Sequence, residues 1–176
     1  MSNVIFEPYV GEEYHCGYEG KKLLILGDSH YCDRKYVQMY VPTAESEKKE
    51  ICQRLEECQQ LEECQNITNN VLDRFLKYKN KMQQYEGGWM KTFSRFTNIF
   101  LNNNNLTFDE IDEFWNCVMF YNYVQVAMDH WGIKPEKHDF DNSQTAFFEV
   151  LKEYKPDLII VWGKRLGENL PKKIRY

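Results

Sequence analysis

Three short apolar runs, each followed by a glycine or a polar residue, predict three buried β-strands. They cover residues 23–26, 118–123 and 158–161. Runs of this length that are rich in branched and aromatic side chains are typical of strands covered on both faces. Because helical segments separate them, we predict an α/β fold, a three-layer α/β/α sandwich with a mostly parallel central sheet.

The segments between the predicted strands have helical composition. Residues 44–64 are rich in Glu, Gln, Lys and Leu, residues 66–70 interrupt this pattern, and residues 71–85 resume it. We therefore expect residues 44–85 to form a long helical insertion of two helices. Residues 1–22 are predicted to be a loop-rich lead-in.

Three further helices are predicted between the central strands, and another is predicted to begin after Gly163. Thr107 and Glu110 form a capping-box pattern, and Asn142 or Ser143 can cap a later helix. The predicted helical segments are residues 90–101, 108–115 and 144–154.

Length and composition fit one soluble domain spanning residues 1–176, with 43% apolar and 28% charged residues. The net charge of −5 argues against non-specific binding to a phosphate backbone as the main role. The basic segment 163–176 leaves two interpretations open, a solvated helix and tail or a local nucleic-acid contact. Without a signal peptide or a run of membrane-spanning length, we expect a cytoplasmic protein with no membrane partner.

The six cysteines do not have the spacing of a metal site. Cys52, Cys58 and Cys64 are six residues apart, a step of about 240° around a helix, so their thiols face different directions. We expect reduced thiols, no metal and no cofactor, with Cys32 the one cysteine beside the candidate site.

The candidate functional residues lie where the three predicted strands end. Gly27-Asp28-Ser29-His30-Tyr31 follows the first strand, Asn122 ends the second and Gly163 follows the third. Parallel strands open at the same edge, so we expect these groups to meet there. Asn122 can act as both donor and acceptor toward a planar amide edge, or it can end the strand by bonding to the backbone.

These motifs, in this order, resemble the uracil-DNA glycosylase superfamily. Its first motif reads Gly-Gln-Asp-Pro-Tyr in one branch and Gly-Glu-Ala-Pro-Gly in another, and the matching residues here are 27–31. A later strand of the superfamily carries a base-recognising asparagine, to which Asn122 corresponds. The following strand, similar to Pro-Lys-Val-Ile-Val-Ala-Leu-Gly, matches residues 156–163.

The resemblance implies an enzyme that hydrolyses the N-glycosidic bond of a flipped-out base in DNA repair, or a protein that binds a nucleic acid or free nucleobase in such a pocket. Asp28 would place the water or stabilise the sugar cation, and His30 would donate to the base carbonyl. The substrate-binding residues would be Gly27, Ser29, Tyr31, Asn122 and Gly163.

Two departures from the superfamily pattern are specific. Ser29 stands where one branch has its water-activating aspartate, whereas Asp28 matches the acidic residue of the other branch. The His-Pro-Ser type loop that stabilises the departing base has no counterpart, as expected either of a piece of a longer protein or of a relative with changed chemistry. We therefore expect very weak or no excision of uracil from DNA.

Two other classes stay open. In an esterase of the Gly-Asp-Ser type, Ser29 would be the nucleophile, but the Asp-x-x-His pair and the Gly-x-Asn-Asp block of such enzymes are missing from the sequence. The alternative is a non-catalytic binding module that keeps the pocket and contacts a protein partner through its Glu/Gln-rich helices.

Overall fold

The computed structural model describes residues 3–31, 65–82, 87–128 and 133–173. A four-stranded mixed sheet has the order β1-β4-β2-β6, and β3 pairs with β5 in a separate two-stranded sheet. The strands are β1 (Tyr9–Val10), β2 (Leu23–Gly27), β3 (His30–Tyr31), β4 (Val118–Asn122), β5 (Ala127–Met128) and β6 (Leu158–Val161). The helices are α1 (Ile67–Lys79), α2 (Met90–Phe100), α3 (Phe108–Asn116), α4 (Lys137–Tyr154) and α5 (Lys164–Asn169).

The three strands predicted from apolar runs form the parallel part of the sheet. β2 lies between β4 and β6 and pairs in parallel with each. This confirms the predicted α/β class and the parallel pairing of these strands. The structure corrects the prediction for residues 1–22, which were expected to be loop-rich. Tyr9 and Val10 form β1 and pair antiparallel with β4. A strand of two residues is too short to show the alternation of apolar and polar residues that predicts a strand.

Alternate residues of the central strands belong to two separate apolar clusters. Leu24 and Leu26 pack in a cluster with residues of α4 and α5. Leu23 and Ile25 pack in another cluster with residues of α1, α2 and α3. Every residue of β2 and β4 is buried, which explains why these strands read as continuous apolar runs without alternation.

Helix α1 begins earlier than predicted. Residues 66–70 were predicted to break the helix, but Ile67 opens α1, and the helix ends at Lys79 well before residue 85. Tertiary contact explains the difference, because Thr68 is fully buried and bonded to His30. A buried anchor of this kind outweighs the low helix propensity of the asparagines beside it.

Helix α4 also begins earlier than predicted, at Lys137 instead of residue 144. Its N-cap is Glu136, whose backbone nitrogen donates to Asp139 Oδ2 at 2.8 Å in a capping box. Ser143 lies inside the helix, where its hydroxyl donates to the Asp139 carbonyl. The predicted Thr107 capping box at the start of α3 is confirmed.

Several sequence predictions fall outside the described residues: the helix over 44–64 and with it most of the 44–85 insertion, and Cys32, Cys52, Cys58 and Cys64. Cys16 and Cys117, both described, are free thiols. In the part of the chain with described coordinates, no helix has the length and apolar character needed to cross a membrane. Nor do three or more His, Cys, Asp or Glu side chains gather there as metal ligands.

Candidate functional site at the carboxyl edge of the sheet

The ends of the three parallel strands meet at one edge, as predicted. Gly27 lies opposite Asn122 in the register, and Leu26 lies opposite Val161. Backbone pairing continues past the strands, since the Val124 nitrogen donates to the Asp28 carbonyl at 2.9 Å. Asp28 and Asn122 therefore lie at the same edge of the sheet, and the exit of β6 lies there too.

The strand order marks one crevice of this edge as the favoured ligand position. The chain passes from β2 to β4 on one side of β2, and later to β6 on its other side. In open α/β sheets, ligands bind outside the carboxyl ends of the strands where the order reverses in this way. Asp28 and Ser29 follow β2, and Trp162 and Gly163 follow β6, so these four residues flank that crevice.

Asp28 forms an ion pair with Arg165 of α5 across the crevice. The Nε and Nη2 atoms of Arg165 each lie 2.8 Å from Asp28 Oδ2. The Asp28 side chain is 21% exposed and that of Arg165 is 35% exposed, so the pair is partly shielded from solvent. The fully buried Leu166 packs the next position of α5 into the core, which fixes where Arg165 stands.

Three buried polar atoms in the residues that follow β2 and β6 have no hydrogen-bond partner. They are Asp28 Oδ1, Ser29 Oγ and Trp162 Nε1, and among the described residues the one other such atom is the Tyr121 hydroxyl of β4. Most buried polar groups of folded proteins are hydrogen-bonded, and leaving one unsatisfied costs about 1–3 kcal/mol. Asp28 Oδ1 and Ser29 Oγ lie just after β2, whereas the Trp162 ring packs against Phe93, Phe96 and Phe120 on the α2 side of the sheet.

On the other side of β2, Asn122 and His30 form a buried hydrogen-bonded chain with Thr68 of α1. Asn122 Nδ2 lies 3.1 Å from His30 Nδ1, and His30 Nε2 lies 3.0 Å from Thr68 Oγ1. A neutral imidazole satisfies both contacts when Nε2–H donates to Thr68 and Nδ1 accepts from Asn122. Burial lowers the pKa of His30 to about 3, so the ring is uncharged at neutral pH.

Phe6, from the N-terminal segment, covers this buried chain. Its ring is fully buried and meets His30 edge-on, with centroids 5.1 Å apart. The backbone nitrogens of Ile5 and Phe6 donate to Gln125 Oε1, and Gln125 Nε2 donates to the Asn122 carbonyl. Asn122 and His30 are therefore enclosed by protein groups.

Position 27 requires a glycine, because the Asn122 side chain lies directly against it. A Cβ at Gly27 would lie 2.1 Å from Asn122 Oδ1 and 3.0 Å from Phe120 Cζ. No side chain larger than hydrogen fits between these groups. Gly163 differs, because it is exposed and its φ of +97° turns the chain from β6 into α5.

The remaining predicted site residues have separate surroundings. Tyr31 is 38% exposed and follows His30 in β3, so strand alternation points the two side chains to opposite faces. Ser29 Oγ has no hydrogen-bond partner, and the His30 ring nitrogens contact Asn122 and Thr68. The described residues thus contain no Ser29–His30 dyad of the kind a serine esterase uses.

The sequence did not single out four residues that shape this edge: Phe6, Thr68, Gln125 and Trp162. Arg165 belongs to the basic segment at the exit of β6, and nothing in that segment marks it as the partner of Asp28. A cleft of about 450 Å³ opens at the other end of the sheet, next to Tyr18, Phe114 and Cys117, and none of the predicted site residues lines it.

The chain was compared with protein-family models, with curated proteins and with solved structures. No family model, no curated protein and no solved structure matches this chain.

Proposed function

We propose that this chain is a uracil-DNA glycosylase-like protein with a three-layer α/β/α arrangement, and that it binds a nucleobase in the crevice beside Asp28. The observation that carries the proposal is the buried Asp28 Oδ1, which has no partner at the point where the strand order reverses. Crevices at such points are where open α/β sheets hold their ligands.

Two polar groups without partners after β2 suit the polar edge of a pyrimidine. Asp28 Oδ1 would accept a hydrogen bond from a ring N–H, and Ser29 Oγ, which can donate and accept, would donate to the neighbouring ring carbonyl. If a nucleoside enters, the Asp28 carboxylate also suits the positioning of a water molecule beside the sugar.

Excision is expected to be very weak, because the departing base develops negative charge that needs preorganised donors. His30 is uncharged at neutral pH, and its ring nitrogens contact Thr68 and Asn122. Asn122 Nδ2 is bonded to His30. The buried hydrogen bonds among Asn122, His30 and Thr68 therefore favour the second candidate function, a non-catalytic binding module on the same fold.

A binding titration tests the proposal. We would add uracil to ¹⁵N-labelled protein and follow the amide resonances, expecting shifts at Gly27, Asp28 and Gly163. Asp28→Asn should weaken binding about tenfold or more, since hydrogen bonds to charged groups are worth about 1.5–3 kcal/mol. Asp141→Asn is the matched control, because Asp141 is an exposed aspartate of α4 paired with Lys137.

The proposed binding site is wrong if Asp28→Asn binds uracil as tightly as the wild type does. The catalytic question needs a separate assay of uracil release from single- and double-stranded oligonucleotides. We expect at most trace release by the wild type, Asp28→Asn and Asn122→Ala alike. Robust release by the wild type that Asp28→Asn abolishes would show that the protein is an active glycosylase.

A further inference from the structure

The Asp28–Arg165 ion pair gives the crevice a charge preference that a lone aspartate would not have. Both contacting nitrogens of Arg165 lie 2.8 Å from the same oxygen, Asp28 Oδ2. The other oxygen, Oδ1, is buried and has no partner. The crevice thus offers a carboxylate oxygen as an acceptor, while the negative charge behind it is matched by the guanidinium.

We propose that Arg165 is a specificity-determining residue that makes the crevice select uncharged planar heterocycles with an N–H beside a C=O, and reject cationic rings. The inference rests on the proposed function, because it concerns the same crevice. A neutral ring gains the hydrogen bond to Oδ1. A cationic ring gains little additional binding energy, because Arg165 already compensates the Asp28 charge and repels the cation.

The position of Arg165 is built into the fold. Gly163, with φ of +97°, turns the chain directly from β6 into α5, and Leu166 anchors that helix in the core. The Arg165 carbonyl also accepts from Asn169 Nδ2 at 2.9 Å. The neighbouring Lys164 differs, because it is 88% exposed and its partner is Glu168, 3.5 Å away.

The test compares two rings of similar size, neutral uracil and 4-aminopyridine, which is a cation at neutral pH. Amide resonances of ¹⁵N-labelled protein report the Kd of each ring for the wild type and three variants. The wild type should prefer uracil, and Arg165→Gln should shift the ratio of the two Kd values toward the cation by about tenfold or more. Arg165→Lys keeps the positive charge and should retain the wild-type preference. Lys164→Gln should leave the Kd ratio within about twofold of the wild-type value.

Arg165→Gln leaves a part-buried aspartate without its cation, so its folding is checked by circular dichroism. If that variant does not fold, Asp28→Asn replaces it. This variant leaves the Arg165 charge uncompensated, so the ratio of the two Kd values should move further toward uracil although both rings bind more weakly. A Kd ratio equal to that of the wild type would overturn the role of Arg165.

The outcomes separate this inference from the proposed function. If uracil binds the wild type but Arg165→Gln leaves the Kd ratio unchanged, the charge-selecting role is wrong and the binding site stands. If uracil binds no variant but 4-aminopyridine binds Arg165→Gln and not the wild type, the role of Arg165 stands and the nucleobase proposal fails. An equal shift in Lys164→Gln, or no binding of either ring to any variant, overturns the inference.

Discussion

Lowering the pH should destabilise this protein specifically through His30. The ring is buried and uncharged in the folded state, where its pKa is lowered to about 3 from the ordinary value of 6.5. The unfolded chain therefore binds a proton at mildly acidic pH that the folded chain does not bind. Stability is highest above about pH 6.5 and falls progressively as the pH drops from there toward 3.

The size of the effect follows from the two pKa values. Protonation of His30 in the unfolded state costs about 1.4 kcal/mol per pH unit below 6.5, or about 2 kcal/mol of unfolding free energy at about pH 5. Carboxylates add their own pH dependence, so the comparison has to be between variants. His30→Gln keeps a donor and an acceptor but does not titrate.

Urea unfolding at about pH 7.5 and about pH 5 provides the measurement. The wild type should lose about 2 kcal/mol more between these two conditions than His30→Gln loses. His15→Gln is the control, because His15 is an exposed histidine between β1 and β2. We expect this control to keep the wild-type pH dependence. Equal losses for the wild type and His30→Gln would refute the reasoning.

Three further predictions concern stability. Gly27→Ala should cost about 1–3 kcal/mol by urea unfolding, because its Cβ would lie 2.1 Å from Asn122 Oδ1, whereas Gly167→Ala meets nothing within 4 Å and should be tolerated. Phe6→Ala, which removes a fully buried ring, should cost about 3–5 kcal/mol by thermal unfolding, and an unchanged Tm would contradict its packing role. Thr107→Ala should cost about 1 kcal/mol through loss of the capping box, and Thr107→Ser should retain most of that stability.

The parallel strands could be predicted because their signal is local. β2 and β4 are buried at every position, so their sequences read as unbroken apolar runs that end where the strands end. The Thr107–Glu110 capping box is equally local, and the structure has it as predicted. The start of α4 was missed because glutamate is an uncommon N-cap residue, and Glu136 was not recognised as one.

The surroundings of the site residues could not be predicted, because they depend on contacts between distant segments. Thr68 is 38 residues from His30, and Arg165 is 137 residues from Asp28. No periodicity or motif spacing reports such pairs. The sequence placed a basic segment at the exit of β6, which brought Arg165 near the crevice without pairing it with Asp28.

Asp28 and His30 are two residues apart, yet the fold gives them opposite environments. Asp28 turns toward α5, keeps its ion pair partly exposed and retains an oxygen without a partner. His30 turns toward α1, where Thr68, Asn122 and Phe6 surround a neutral ring. A ligand that reached Asp28 Oδ1 would break no hydrogen bond there, whereas a ligand that reached His30 would have to displace a buried aromatic ring. The β2–β6 side of the edge therefore suits binding, and the β2–β4 side suits holding the strands and the N-terminal segment together.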